Sequence, residues 1–210
     1  MSAEQKITLY HAPNTRSSGT LILLEELGAP YNLHVIDMKA GEQRQPDFLA
    51  INPMGKVPAV QHGEALITEQ VAIYIYLSDL FPEAGLAPAI SDLQRGPYLR
   101  WLIFYGSCFE PAVVDRALKR EPGPLAMVPY GDFDTMFNTL VEQLSKGPYL
   151  LGERFTAPDL LWGAALGWMT LWKLVPDLPV ISAYVQRHND RPAVTRVKAK
   201  DAEMVTSQAA

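Results

Sequence analysis

The 210-residue chain has a single cysteine, Cys108. One thiol closes no internal disulfide, and there is no cysteine cluster for structural zinc. Positive charge is not in excess either. The formal net charge is −5, which gives no general attraction to nucleic acid or anionic lipid. Long apolar runs are also missing: the longest uncharged one, Leu160 to Trp172, is shorter than the about 20 residues a membrane-spanning helix needs. Near the start, Glu25 and Glu26 interrupt any signal-peptide core. The expectation is a cytoplasmic protein with neither membrane nor nucleic acid as a partner.

Several catalytic signatures are absent. The chain contains no G-x-S-x-G, no phosphate-binding P-loop and no H-E-x-x-H. Its histidines, His11, His34, His62 and His188, lack metal-ligand spacing and read as solvated or hydrogen-bonded structural residues, so no metal is expected. Without a C-x-x-C pair the protein cannot exchange dithiols on its own cysteines. Any sulfur chemistry must use the sulfur of a ligand.

What is present suits folded domains. A chain that is 48% hydrophobic and 20% charged is neither disordered nor a coiled coil, and its length accommodates two small domains. Ile7 to Tyr10 reads as a strand, His11 to Arg16 as a loop, and Ser17 as the cap of a helix that stops at Gly28. Tyr31 to Ile36 is a second strand, completing a βαβ unit. A short helix near Asp47–Ile51 follows, then strands at Pro58–Val60 and Ala65–Ile67, and a helix capped by Thr68 that runs to about Leu80. Beyond a Pro- and Gly-containing linker the strand pattern disappears. Leu93–Leu118, Phe133–Leu144, Pro158–Leu171, Pro179–Arg187 and Pro192–Val205 carry helical periodicity. The expected organisation is an α/β domain over 1–82, a linker over 83–90 and an all-α domain over 91–210.

Three features in the first domain bear on chemistry, and each alone also has a structural reading. The turn Pro13-Asn14-Thr15-Arg16-Ser17-Ser18 gathers hydroxyls and N–H groups at a helix start, which favours an anion or is simply a cap. In Asn52-Pro53-Met54-Gly55-Lys56-Val57-Pro58 a cis Val57–Pro58 bond would leave the Val57 backbone free to pair with an extended peptide; Pro58 is otherwise an edge-strand residue. Thr68-Glu69-Gln70 opens a helix. There Glu69 either complements the helix dipole or receives an ammonium, with Gln70 and the helix N–H groups taking a carboxylate.

In this order and spacing the features resemble the glutathione transferase family. The likeness runs through LYHAPNTRSSGTLILLEELGAPY, INPMGKVPAV and LITEQVAIYIYL to a helical second domain, where Phe155 to Leu160 looks like the family's capping box, with Thr156 as cap, Asp159 at N3 and Phe155 stapling to Leu160. The resemblance implies a thioredoxin-like N-terminal domain that binds glutathione as co-substrate, a helical domain that supplies most of a pocket for a small hydrophobic electrophile, and a homodimer. The implied activity is conjugation of the thiolate to that electrophile, with glutathione-dependent peroxidase activity beside it. A specialised isomerase, dehalogenase or ether-cleaving enzyme, or a non-catalytic interaction module, are the alternatives of the same fold.

By similarity, Val57 pairs with the cysteinyl unit next to cis Pro58, Glu69 and Gln70 hold the γ-glutamyl end, and Lys56 or Arg16 meets a glutathione carboxylate. Many family members have Ser where this chain has Gln70. The thiol-activating group is Ser17 in the first instance, with Thr15, Asn14 and Tyr10 as alternatives. Arg16 falls where some bacterial members carry Cys, which excludes a cysteine mechanism. Moving a thiol pKa down by two units takes about 2.7 kcal/mol, within reach of one hydrogen bond to the thiolate (~1.5–3 kcal/mol) plus a helix start (~0.3–1 kcal/mol). Trp101, Tyr105, Cys108 and Ala112 recur at helical spacing as candidate pocket wall or core, Tyr105 and Trp101 being the expected electrophile contacts. Cys108 is expected to be a buried apolar thiol, and Trp162, Trp168 and Trp172 to be core.

Overall fold

The computed structural model describes residues 6–121 and 123–208. By internal packing the chain divides into two compact units, Met1–Ala84 with Arg191–Ala210, and Gly85–Asp190.

In the first unit, β1 (Ile7–His11) leads through a tight turn into α1 (Arg16–Leu27), and β2 (Tyr31–Val35) returns parallel to β1 with Ile7 opposite Tyr31. This is the expected βαβ unit. The start of α1 is capped by Thr15, whose hydroxyl accepts the Ser17 N–H; Ser17 is not the cap, because it already lies inside the first turn with its side chain turned inward. Gly28, at φ 62°, ends α1 in the left-handed conformation that a glycine adopts without a Cβ penalty. After α2 (Pro46–Ile51), β3 (Ala59–His62) and β4 (Ala65–Ile67) form an antiparallel hairpin, giving a mixed sheet of order β2-β1-β3-β4. α3 (Gln70–Leu80) follows. Thr68 does not cap it, since Glu69 occupies the cap position and makes no side-chain cap bond.

Four consecutive residues of α1, Leu21 to Leu24, are buried. A helix apolar all round must be covered on more than one side. Here β1, α3 and α9 (Pro192–Ser207) all pack against it. The stripe Ala193, Val194, Val197 and Asp201 of α9 is buried, and charged groups flank it. Arg191 makes a two-pronged pair with Glu26 at 2.8 and 2.6 Å. Lys200 reaches Glu25 at 2.6 Å and the Tyr31 hydroxyl at 2.9 Å, and Arg196 reaches Glu25 at 3.0 Å. Burial pushes the Glu25 carboxyl up, but the bonds from Lys200, Tyr31 and Arg196 outweigh it and bring its pKa down to about 2.

The second unit is helical: α4 (Arg95–Phe104), α5 (Glu110–Ala117), α6 (Phe133–Leu144), α7 (Ala157–Leu171) and α8 (Pro179–Asn189). The single helix expected over Leu93–Leu118 is interrupted by a π-helical turn at Tyr105–Phe109. The capping box at Thr156 and Asp159 is formed. Asp159 also accepts the Leu150 N–H at 2.9 Å and the Tyr184 hydroxyl at 2.8 Å. Trp162 is core as expected, with Trp101, Tyr105 and Phe109 around it and its Nε1 donating to the Trp101 carbonyl at 2.9 Å. Trp168 and Trp172 are not: they are 50% and 62% exposed. The helical period explains this. The buried face of α7 runs through Trp162, Leu166 and Met169, which turns Trp168 and Trp172 outward, where they stack on each other at 6.2 Å. Cys108, expected to be buried, is only partly so, and its sulfur lies 3.6 Å from the Pro129 carbonyl.

Candidate functional site

Sheet register brings three segments to one end of the first unit. β3 runs antiparallel to β1 with Ala59 opposite Tyr10, so the residues before β3 lie beside the chain leaving β1. β4 runs antiparallel to β3 with Ile67 opposite Val60, which returns the start of α3 to the same end. The β1–α1 turn, the Lys56–Pro58 segment and Thr68–Gln70 therefore meet. Gln70 ties two of them directly, its Nε2 donating to the Arg16 carbonyl at 3.1 Å.

The segment before β3 is held from within. Asn52 donates to the Lys56 carbonyl at 2.8 Å and accepts the Met54 N–H at 3.1 Å. Gly55, at φ 60°, has no room for a side chain: a Cβ would lie 2.7 Å from the Gln43 carbonyl oxygen. This frame presents Val57, whose side chain packs on the cluster of Tyr10, Ile36, Phe48 and Ala59. The Val57–Pro58 bond is cis, as anticipated. Among the described residues no hydrogen bond engages the Val57 N–H or carbonyl. In a protein, unpaired peptide groups at a sheet end are satisfied by water or by an added strand. Lys56 is exposed beside it.

At the start of α3, Glu69 has φ 62° and ψ 112°, outside every region that a residue with a Cβ readily occupies. Its side chain is exposed and has no partner among the described residues. The Gln70 amide oxygen is buried and likewise has no hydrogen-bond partner among them. Strained backbone of this kind costs about 1–3 kcal/mol and collects at ligand sites.

The turn itself sorts the thiol-activating candidates. Ser17 is wholly buried, and its hydroxyl accepts the Ala12 N–H at 3.0 Å while lying 2.8 Å from His11 Nδ1 and 2.7 Å from Thr15 Oγ1. The first-choice hydroxyl thus faces inward and is fully occupied. Thr15 is partly exposed, with its hydroxyl 2.7 Å from the Ala12 carbonyl. Asn14 is exposed at φ 57°; its N–H donates to Asp201 at 2.9 Å, and its carboxamide has no partner among the described residues. Tyr10 is buried and its hydroxyl donates to Gln61 at 3.0 Å, away from the turn.

Asp201 was not singled out by the sequence. It comes from α9 and accepts from Asn14 N–H, Ser18 Oγ at 2.6 Å and His11 Nε2 at 3.0 Å. Burial pushes its carboxyl up, yet those bonds prevail and hold it below the ordinary carboxylate range. Trp101 and Tyr105 belong to the second unit's core, 2% and 3% exposed, and the Tyr105 hydroxyl reaches Glu110 at 3.2 Å. Their side chains face inward, because the helix turns its aromatic stripe onto Trp162 rather than outward as a pocket wall. No group of metal-ligating side chains occurs among the described residues. None of their helices is long and apolar enough to cross a membrane.

A thioredoxin-like sheet followed by a helical unit has a known counterpart. Residues 5–79 match the family model for the glutathione S-transferase N-terminal domain, and residues 111–187 match that for its C-terminal domain. The chain belongs to the glutathione S-transferase family. Among relatives of this transferase-family protein, glutathione S-transferase GstA of Escherichia coli O157:H7 is 28% identical over 189 residues, covering 89% of this chain and 94% of GstA. A solved glutathione transferase from Methylococcus capsulatus is 30% identical with a TM-score of 0.78, covering 93% of this chain and 98% of that one. A glutathione transferase homologue from Sulfitobacter, solved with bound glutathione, is 29% identical with a TM-score of 0.73 and covers 93% and 98%. Glutathione is the co-substrate of the family, and structures of homologues hold it.

Proposed function

We propose that this family member conjugates the glutathione thiolate to small hydrophobic electrophiles, with peroxide reduction by the same thiolate as a companion activity. The observation that carries the reading is a set of groups at one sheet end without hydrogen-bond partners among the described residues: the Val57 backbone, the Glu69 carboxylate and the buried Gln70 amide oxygen. In this reading the cysteinyl unit of glutathione pairs with Val57 beside Pro58. Glu69 receives the γ-glutamyl ammonium, Gln70 holds the same end through its amide, and Lys56 meets the glycyl carboxylate.

The sulfur then lies at the start of α1. With Ser17 occupied, the Asn14 carboxamide is the unengaged donor, and the Thr15 hydroxyl joins it by turning from the Ala12 carbonyl. One hydrogen bond to a thiolate offers ~1.5–3 kcal/mol and the helix start ~0.3–1 kcal/mol. Together these reach the about 2.7 kcal/mol that a two-unit drop in thiol pKa requires, without a general base. The thiolate attacks the electrophilic carbon, its lone pair forming the C–S bond as the leaving group departs with the bonding pair. Ser17 acts within the turn and not on the sulfur. The reading extends to a cytoplasmic homodimer, the usual state of the family.

The test is calorimetry with reduced glutathione, followed by assays on an aryl halide and an organic peroxide. Binding with turnover of the aryl halide supports the proposal. Binding with neither activity would point to a specialised isomerase, dehalogenase or ether-cleaving enzyme, and no binding at millimolar glutathione would point to a non-catalytic module.

A further inference from the structure

One buried cluster in the first unit is centred on a pair, Asp201 and His11, that the reading above does not use. It joins β1, α1 and α9, bringing together residues up to 190 positions apart. Asp201 is 3% exposed and its two oxygens serve different sides. Oδ1 takes His11 Nε2 at 3.0 Å, whereas Oδ2 takes the Asn14 N–H at 2.9 Å and the Ser18 hydroxyl at 2.6 Å. His11, fully buried, passes the contact on through Nδ1 to Ser17 Oγ at 2.8 Å, and Ser17 touches Thr15 Oγ1 at 2.7 Å. The order serine, histidine, carboxylate is that of a hydrolase relay, but a serine with no exposed surface attacks nothing. The cluster has another use.

Proton bookkeeping indicates what that use is. An ionised carboxylate only accepts, so His11 gives Asp201 its Nε2–H. On its other side His11 Nδ1 lies 2.8 Å from Ser17 Oγ, which is also 3.1 Å from the Ala12 carbonyl. Ser17 Oγ also receives the Ala12 N–H at 3.0 Å, and Thr15 Oγ1, 2.7 Å from both Ser17 Oγ and the Ala12 carbonyl, is held in place between them. On the other side, the bond from the Asn14 N–H pins that residue at φ 57°, which aims its carboxamide outward.

We propose that Asp201, delivered by the C-terminal helix, is a positioning residue for the thiol-facing turn, fixing Asn14 through its backbone and Thr15 through His11 and Ser17. This rests on the glutathione reading and extends it: a carboxylate remote in sequence and out of reach of the substrate sets the geometry of the groups that stabilise the thiolate.

The experiment compares the full-length wild type with Asp201→Asn and Arg191→Ala. An amide has one acceptor oxygen, so Asn at 201 cannot serve both His11 and the Asn14–Ser18 pair. Arg191→Ala loosens α9 at its Glu26 pair, away from the turn. For Asp201→Asn the expectation is glutathione KM within about threefold of wild type, a bound-thiol pKa raised by about one unit and kcat at neutral pH down about tenfold. Arg191→Ala should lower the melting temperature while leaving thiol pKa and kcat as they were. The proposal is overturned if a folded Asp201→Asn keeps the wild-type thiol pKa and kcat, or if Arg191→Ala reproduces its losses.

Should Asp201→Asn not fold, the wild type itself decides. The His11 ring nitrogen signals should differ between complexes with glutathione and with S-methylglutathione, which has no thiolate; identical signals refute the coupling. Failure of the wild type to bind glutathione at all would remove the functional reading together with this one, and the calorimetry distinguishes that outcome from the others.

Discussion

Glu69 combines a strained backbone with a carboxylate that has no partner among the described residues, so one substitution should move stability and binding in opposite directions. At φ 62° and ψ 112° its Cβ is held where L-residues rarely go. Glu69→Gly removes the Cβ and relieves about 1–3 kcal/mol of strain. The added freedom of glycine in the unfolded chain takes back about 0.4–1 kcal/mol. The net expectation is a stability raised by up to about 2.6 kcal/mol, read by urea denaturation. The same change deletes the proposed carboxylate–ammonium contact, which is a charge-assisted bond of about 1.5–3 kcal/mol. Calorimetry should then show glutathione bound about 10- to 150-fold more weakly. Glu69→Gln is the control: it keeps the strain, loses the charge and should weaken binding with stability unchanged. A Glu69→Gly protein that is less stable than wild type would refute the strain argument. One that binds glutathione as tightly as wild type would refute the assignment of its carboxylate.

Three further outcomes are expected. Gly163→Ala should lose about 1–3 kcal/mol by overpacking, because its Cβ would sit 2.5 Å from His188 Cβ, an atom that no rotamer change moves; urea midpoints measure it. Asp159→Ala should lose about 3 kcal/mol or more, since it orphans the buried Leu150 and Thr156 N–H groups and the Tyr184 hydroxyl; the same titration checks this, with Asp159→Asn the milder case. Glu25 titrates near 2 in the folded protein against an ordinary 4.5, so its contribution to anchoring α9 is complete above pH 4.5 and is lost as pH falls toward 2. The difference in midpoint between wild type and Glu25→Gln should therefore be present at neutral pH and close through that window, and Asp201, also held below its ordinary range, adds stability loss in the same direction.

Local signals in the sequence carried a long way. Gly28 as a helix stop and the Thr156–Asp159 capping box depend on neighbouring residues and are found where expected, whereas the cis bond at Val57–Pro58 follows from the family resemblance and the helix over Leu93–Leu118 is broken by a π turn. What escaped depends on residues distant in the chain. Thr15 and Ser17 are equally good caps on paper; the buried His11 and Asp201 draw Ser17 inward and leave the cap to Thr15. Asp201 sits among Lys200, Glu203 and other charges and reads as one more solvated residue of an amphipathic helix, because nothing nearby shows that α9 packs on α1. Glu69 gives no warning of its backbone, since a glycine there would have shown the turn and a glutamate conceals it. Apolarity alone makes Trp168 and Trp172 look like core, but the buried face of their helix is set by Trp162, Leu166 and Met169.

The account stands or falls on where glutathione lies, and a crystal structure of the protein soaked with it is the most direct measurement. It should show the cysteinyl backbone paired with Val57 N–H and carbonyl, the γ-glutamyl ammonium on Glu69, and the sulfur at the start of α1 nearer to Asn14 or Thr15 than to Ser17. Glutathione lying away from Val57, or with its amino-acid end turned from Glu69, would contradict it.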